Sequence, residues 1–418
     1  MNNAATEITC DTLPASTLTV EQAQQRILDA ISTLTCYETV GLMQANARIL
    51  SAAIQANVDV PPYNNSAMDG YALRYADLAT HDPLNIIGTA LAGHPFNGTL
   101  QAGECVRIMT GAMLPEGADT VVMQENVTRH AAQIQITGKL KAADNVRYTG
   151  EDIRAGHPLL PAGRRLNAAD IGLLASQGIA EVSVLRKPKI AFCSTGDELQ
   201  SLGQALQAGQ IYDSNRYTLN ALLQALDVDI IDLGVVRDTP EAVAQAFQQA
   251  SSIADVFITS GGVSVGEADY VTDTLKRMGE VNFWKIAFKP GKPLTFGKLN
   301  KTCWFFGLPG NPVSVMVTFL LFARPAILKL RGETAPLLPE YQAICTSKLK
   351  KSPGRKDYQR GICEQDANGQ WTVKTTGNQG SHVLTSMSQA NCFIVLPLES
   401  GTVEAGSTVT IIPFTGLM

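Results

Sequence analysis

The sequence predicts a multidomain α/β protein organised around an open, mostly parallel sheet, and three observations carry that expectation. From Pro188 to about Leu330, short apolar runs alternate with stretches of helical period, the pattern of strands joined by crossover helices. The runs on either side of that region are β-like and punctuated by glycine and proline, as in small β domains. At 418 residues the chain is too long for one hydrophobic core and is expected to divide into several.

Taken in order, Thr19 followed by Gln22 makes a capping box, and Ile27, Ile31 and Leu34 recur at helical spacing, which predicts a helical region over 20–55. Val60-Pro61-Pro62 ends it. From Leu84 to about Thr149 the runs Asn85–Ile87, Cys105–Met109, Thr120–Met123 and Gln133–Ile136 predict a β-rich domain. A helix is expected from Asn167 as N-cap to Gln177, closed by Gly178. Its grouping with the N-terminal helices makes the β-rich piece an insertion, with boundaries at 1–60 plus 150–187 and at 61–149. The central domain, 188–335, takes Lys189–Cys193, Asp229–Leu233, Asp255–Thr259, Val281–Ile286 and Cys303–Phe306 as strands. Ser214–Leu226, Pro240–Ser251, Tyr270–Met278 and Pro312–Leu328 are its helices. Over 336–418, KDYQRGICEQ, GQWTVKTT, NCFIVLPL and STVTIIPF predict a small C-terminal β-barrel or sandwich.

Composition bounds the function. A hydrophobic share of 45%, a charged share of 17% and a net charge of −5 describe an ordinary globular chain and give no reason to expect nucleic acid as a partner. The eight cysteines form no C-x-x-C pair and sit mostly in apolar runs, so they read as reduced, buried thiols. The stretch MNNAATEITCDTLPAS lacks the apolar segment of a signal peptide, and the run Val313–Ala323 is shorter than the ~20 residues a membrane-spanning helix needs. A cytoplasmic protein without membrane contact is the expectation.

Ligands of open α/β sheets sit beyond the carboxyl ends of the strands. Every loop at that edge carries glycine, proline or charge: Ser194–Glu198, Arg237-Asp238, Ser260–Asp269, Lys289–Pro293 and Leu308–Ser314. Within SGGVSVGEADYV, Gly261, Gly262 and Ser264 read as a cradle whose backbone N–H groups approach a phosphate; a tight turn is the competing reading. The same stretch fits G-x-S-x-G, but two glycines and a serine precede Ser264 and the one downstream histidine, His382, falls in the C-terminal β region, which disfavours a serine hydrolase. Glu198, Asp238 and Asp269 are acids beside a phosphate site, which implies Mg²⁺ between them; singly, Asp238 and Asp269 also read as helix-start residues. In Lys289-Pro290-Gly291-Lys292-Pro293 the prolines favour an extended polyproline-like path, with both lysines facing one anion; two solvated loop lysines are the competing reading. Arg355, Lys356 and Arg360 add basic charge that equally suits a plain surface patch.

PPYNNSAMDGYALR, RIMTGAMLPEGADTVVMQE, GEDI, STGDEL, GQIYDSN, SGGVSVGEADYV, FKPGKPLTFG, GLPGNPVS, PGRKDYQRG and GNQGSH follow one another in an order that resembles the bacterial molybdopterin molybdenumtransferases, the MoeA family, relatives of the E domain of gephyrin. The resemblance spans nearly the whole chain. It implies a helical linker domain, an inserted β domain, a molybdopterin-binding α/β domain and a C-terminal β-barrel, assembled as a homodimer whose active cleft lies between subunits. It implies insertion of molybdate into adenylyl-molybdopterin with Mg²⁺-dependent release of AMP, and contacts with other proteins of molybdenum cofactor biosynthesis. Carried over by position, Asp238 and Asp269 are metal or phosphate-side acids with Glu198 nearby. By the same resemblance Lys289, Lys292, Ser314, Arg360 and Ser381 match the molybdate pocket, Pro293 is a further cofactor-binding position, Asp69 and Thr110 belong to the active cleft, and Asp69, Asp152 and Lys285 match residues regarded as functional in the family. A non-catalytic scaffold of the gephyrin kind is the remaining alternative.

Overall fold

The structure, a computed structural model, describes residues 17–261, 270–291, 293–333 and 338–417. The chain forms two compact units, one of Met1–Tyr37 with Leu185–Met418 and one of Glu38–Val184.

The larger unit begins with a short strand, β1 (Thr17–Leu18), and a helix, α1 (Val20–Ala30), whose start is fixed by reciprocal hydrogen bonds between Thr19 and Gln22. It resumes with β2 (Lys189–Thr195), α2 (Ser214–Gln224), β3 (Asp229–Val236), α3 (Pro240–Ile253), β4 (Val256–Ser260) and α4 (Tyr270–Met278). Then follow β5 (Gly279–Ile286), β6 (Phe288–Lys289), β7 (Pro293–Leu299) and β8 (Cys303–Leu308). Seven strands form one sheet in the order β1-β5-β7-β8-β4-β2-β3, parallel except for β7. The central strands bury both faces, as parallel strands covered by helices must. Phe192, Ile258, Phe306 and Leu308 pack under α1 and α2, while Ala191, Cys193, Phe257 and Phe305 pack with Val243 and Phe247 of α3 and Leu275 of α4.

After β8, Asn311 precedes a helix, α5 (Pro312–Leu330), that runs through a π-helical turn at Phe319–Ala323. Its 19 residues have the length and hydropathy to cross a membrane, yet 83% of the apolar window is buried inside the unit, the mark of a core helix. The chain ends in β9 (Tyr341–Cys345), β10 (Lys356–Gln365), β11 (Trp371–Thr375), α6 (Leu384–Gln389), β12 (Cys392–Leu396) and β13 (Thr408–Pro413). Pairing runs β10-β11-β9-β13-β12 and back to β10, which closes a five-stranded barrel, and β6 adds to β10 from outside. Tyr358, Phe393, Ile412 and Phe414 of the barrel share one core with α5.

The smaller unit is β-rich. Its main sheet orders six strands as Thr120–Met123, Gly70–Leu73, Glu104–Ile108, Leu84–Ala90, Gln133–Ile136 and Val127–His130. One helix, Ala168–Ser176, is capped by Asn167 as the sequence indicates, and Gly178 follows it at φ +70°.

Three expectations change. Helical structure over 20–55 reduces to α1 and a short 3₁₀ turn: Ile31 leaves the helix in extended conformation because the segment beyond it caps α5. There Leu34 N–H donates to Leu330 O at 2.9 Å and Thr33 Oγ1 to Lys329 O at 3.1 Å, filling helix-end carbonyls that would otherwise lack donors. The N-terminal segment also belongs with the α/β unit, since β1 extends its sheet beside β5. Finally, β7 was not foreseen; it makes the sheet mixed, with two antiparallel pairings inside a parallel frame.

Candidate functional site

The strand ends of the larger unit open on a cavity of about 790 Å³. Glu198, Asp238, Gly261, Pro293, Ser314 and Ser381, all expected site residues, line it together. They are brought there by different elements: Glu198 follows β2, Asp238 follows β3, Gly261 follows β4, Pro293 opens β7, Ser314 lies in the first turn of α5 and Ser381 precedes α6. The backbone N–H of Asp238 donates to Asp197 Oδ1 at 3.2 Å, so the loops after β2 and β3 hold each other. The N–H of Val313 donates to Ser381 O at 3.1 Å, which sets Ser381 against the start of α5. A helix N-terminus favours negative charge nearby.

Gly261 earns its place sterically. Its φ is +91°, and a Cβ there would stand 2.7 Å from the Thr195 carbonyl oxygen. The glycine therefore lets β4 turn directly against the end of β2.

Unpartnered polar atoms gather around the same cavity. Thr195 Oγ1, Asp213 Oδ2, Asn215 Oδ1 and Ser260 Oγ are shut off from bulk water without a hydrogen-bond partner among the described residues. Each such atom costs about 1–3 kcal/mol if left unmade, so a fold tolerates four of them in one place when a ligand satisfies them. Sequence reasoning passed over these four residues. All four stand inside quoted motifs, STGDEL, GQIYDSN and SGGVSVGEADYV, and the helix start after an acid was the available signal for Asp213.

A second cavity of about 690 Å³ adjoins the first, sharing Gly291 and Ser381 with it. Lys289, Lys348, Lys350 and Arg355 line it, together with Gln359 and Asn378, and among the described residues no carboxylate does. Lys348 also pairs with the exposed Glu404 at 2.6 Å, which leaves Lys289, Lys350 and Arg355 as its main source of positive charge. Anions are the ligands such a wall selects. The lysine loop does not take the expected polyproline path: the Lys289–Pro290 bond is cis and Gly291 sits at φ +104°.

Arg360 lies beneath this second cavity, 1% exposed. Its Nε donates to Ser386 Oγ at 3.0 Å and its Nη2 to Gly380 O at 3.0 Å and Asn378 O at 3.4 Å, so it grips the loop that forms the wall. Burial lowers its pKa to about 10, against the opposing pull of Asp357. Lys356 points elsewhere, pairing with Glu21 of α1 at 2.8 Å. Lys285 is exposed in β5, opposite Pro293 in register.

Asp69, Thr110 and Asp152 belong to the smaller unit. There Asp69 Oδ1 accepts hydrogen bonds from both the N–H and the Oγ1–H of Thr110, each at 2.8 Å, and the Thr110 N–H chiefly holds the exposed carboxyl below its ordinary pKa. Asp152 is exposed, its N–H donating to Val60 O at 3.1 Å. Gly262, Ser264, Asp269 and Lys292 lie outside the described residues.

Among the described residues no three acidic, histidine or cysteine side chains converge as a ready metal centre. Glu198 and Asp238 nonetheless face one cavity, and one or two carboxylates with water and substrate oxygens suffice for Mg²⁺. The cysteines offer no nucleophile here. Six of the seven described are buried, and burial pushes the Cys303 thiol up to about 12 and Cys193 higher still. His382, assigned by sequence to the β region alone, in fact lines the α/β cavity, so distance from a histidine is no argument against a hydrolase.

An open α/β sheet with a polar cavity at its strand ends, joined by a cation-lined cavity against a small barrel, defines a protein that binds an anionic, heteroatom-rich small molecule. Comparison with known proteins narrows this. Residues 18–178 match the MoeA N-terminal region (domain I and II), 191–329 a probable molybdopterin binding domain, and 342–414 the MoeA C-terminal region (domain IV). The chain is 47% identical over 403 residues to a molybdopterin molybdenumtransferase of Haemophilus influenzae, covering 96% of this chain and all of that one. It is 34% identical to gephyrin of Dictyostelium discoideum, over 89% of this chain and 58% of that one. The crystal structure of a molybdopterin biosynthesis MoeA protein from Pyrococcus horikosii superposes with a TM-score of 0.81 at 31% identity, covering 95% of this chain and 99% of the other. The chain belongs to the MoeA family.

Proposed function

We propose that the protein is a molybdopterin molybdenumtransferase, which inserts molybdate into adenylyl-molybdopterin and releases AMP. The observation that carries this reading is the pair of adjoining cavities, one rich in hydrogen-bonding groups and acids and the other lined by cations, meeting at Gly291 and Ser381. The name shared by relatives at 47% and 38% identity supports it. Both cavities fall within the ~300–1,000 Å³ typical of small-molecule sites.

In this reading, molybdate occupies the cationic cavity, held by Lys289, Lys350 and Arg355, while Arg360 keeps the 378–380 wall in place. Adenylyl-molybdopterin fills the larger cavity, with its phosphates toward the N-terminal turn of α5 and its dithiolene sulfurs toward the shared wall. Placing two reactants side by side removes most of the entropic part of the barrier. Glu198 and Asp238 would hold Mg²⁺, which when bound supplies positive charge to the phosphoanhydride. Water attacks the pterin-side phosphorus, the P–O bond of the phosphoanhydride breaks and AMP departs, while the two dithiolene thiols displace one molybdate oxygen, which leaves as water with their two protons, so no protein nucleophile is required. The relatives' shared name favours this enzyme over a hydrolase built on Ser264, and the two lined cavities favour it over a pure scaffold.

We infer further that the protein works as a homodimer in the cytoplasm, with Asp69, Thr110 and Asp152 of one copy completing the cavity of the other. The support is the exposed, preorganised Asp69–Thr110 pair and the family resemblance. The direct test is AMP release from adenylyl-molybdopterin upon addition of molybdate and Mg²⁺; a protein that releases none under those conditions refutes the reading.

A further inference from the structure

Asp213 is 2% exposed, lines the larger cavity and carries no role in the chemistry described above. Its Oδ1 is fully engaged, accepting from Ser194 Oγ at 3.1 Å and from the N–H of Arg216 at 3.1 Å, as the N-cap of α2. These two bonds hold Oδ1, and Oδ2 is left with no partner among the described residues. Two residues on, Asn215 donates from Nδ2 to Gly310 O at 2.7 Å, which ties α2 to the loop before α5 and leaves its Oδ1 unpartnered as well.

Both free atoms are pure acceptors: a carboxylate oxygen and an amide oxygen. Whatever satisfies them must present N–H or O–H donors, and two acceptors on one helix turn suit a ligand edge with donors side by side, which distinguishes the two rings of the proposed substrate. The adenine ring offers a donor next to an acceptor along its hydrogen-bonding edge. A 2-amino-4-oxo ring offers its exocyclic amino group next to a ring N–H, two donors together. The negative charge of Asp213 strengthens such a contact, and the neighbouring Thr195 and Ser260 hydroxyls, also unpartnered, can supply donors to the remaining ring acceptors.

We propose that Asp213, with Asn215 beside it, is the specificity-determining residue that reads the 2-amino, N–H edge of the pterin ring. This assignment rests on the proposed function for the presence of a pterin, and on the acceptor geometry for its orientation. It places the pterin over the first turn of α2 and leaves the α5 side of the cavity to the phosphates.

The test compares binding of two free rings, 2-amino-4-oxopteridine and 2,4-dioxopteridine, followed by ring fluorescence on full-length wild type, Asp213→Asn and Asp213→Ser. Both substitutions retain an N-cap oxygen, and circular dichroism checks that the fold is kept. Wild type is expected to prefer the 2-amino ring by about 10- to 100-fold, the range for a hydrogen bond to a charged group. Asp213→Ser should abolish the preference, and Asp213→Asn should abolish or reverse it, since its Nδ2 can donate to the 2-oxo group. A wild type without preference, or binding neither ring, overturns the proposal, as does a preference unchanged in both variants. Ring binding needs no turnover, so a failed proposal with AMP release intact is distinguishable from failure of the transferase reading itself.

Discussion

Replacing Gly261 by alanine probes whether the end of β4 is shaped by backbone sterics. The residue holds φ at +91°, a conformation that costs an L-residue about 1–2 kcal/mol. The added Cβ would lie 2.7 Å from Thr195 O and 3.1 Å from Thr195 Oγ1, inside contact distance, and relief by backbone movement costs about 1–3 kcal/mol more. Together these predict about 3 kcal/mol of destabilisation, or a Tm lowered by about 5 to 10 °C for a unit of this size. Gly310 is the control, because it faces the same cavity at an ordinary φ with its nearest neighbour, Gly261 Cα, 3.8 Å from a built Cβ. Gly310→Ala should stay within about 0.5 kcal/mol of wild type. Scanning calorimetry and urea unfolding read both variants. Equal stability of Gly261→Ala and Gly310→Ala would refute the steric argument and return Gly261 to a purely ligand-binding role.

Other outcomes follow from the same contacts. Lys350→Ala and Lys289→Ala should each raise the molybdate concentration for half-maximal AMP release by about tenfold while leaving adenylyl-molybdopterin binding near wild type; an unchanged molybdate dependence removes the anion assignment. The Asp69 carboxyl, held ionised by the Thr110 N–H and hydroxyl, should titrate below 3.8 by carbon-detected NMR, and Thr110→Val should move the midpoint upward. Because the folded pKa is the lower one, whatever stability the pair adds is present above the unfolded pKa and fades only as pH falls through the folded value, so none should be lost near neutrality. Asp69→Ala and Asp238→Ala, each inactive alone, should regain activity in about a quarter of sites when mixed and reassorted, as a two-fold dimer with shared sites requires. Mixtures that stay inactive argue for sites built within one copy.

Much of the fold was legible because its cues are local. Asn167 and Gly178 announce a helix start and stop, and the buried runs KIAFCST and VFITS admit few alternatives to interior strands. What escaped depends on distant partners. Ile31 and Leu34 keep helical spacing, yet the chain straightens there to cap α5 some 300 residues later, and no local signal encodes that. PLTFGKL carries a proline and a glycine and reads as loop, but it sits between β5 and β8, where pairing on both sides overrides weak strand propensity. The site shows the same division. Glu198, Asp238 and Ser314 could be placed by the strand-end rule, whereas the unpartnered state of Asp213 and Asn215 becomes visible only once every neighbour's hydrogen bonds are counted. Lys348 and Lys350 lie upstream of the basic cluster singled out in the sequence, and the turn of the barrel chain carries them to the cavity in place of Lys356.

The central claim is that the two adjoining cavities join molybdate to an adenylylated pterin. Its most direct test is a single-turnover assay of AMP release by the purified protein. The account predicts release only when adenylyl-molybdopterin, molybdate and Mg²⁺ are all present, with about tenfold more molybdate needed for half-maximal release in Lys350→Ala. Release at the same rate without molybdate, or none with all three, would contradict it.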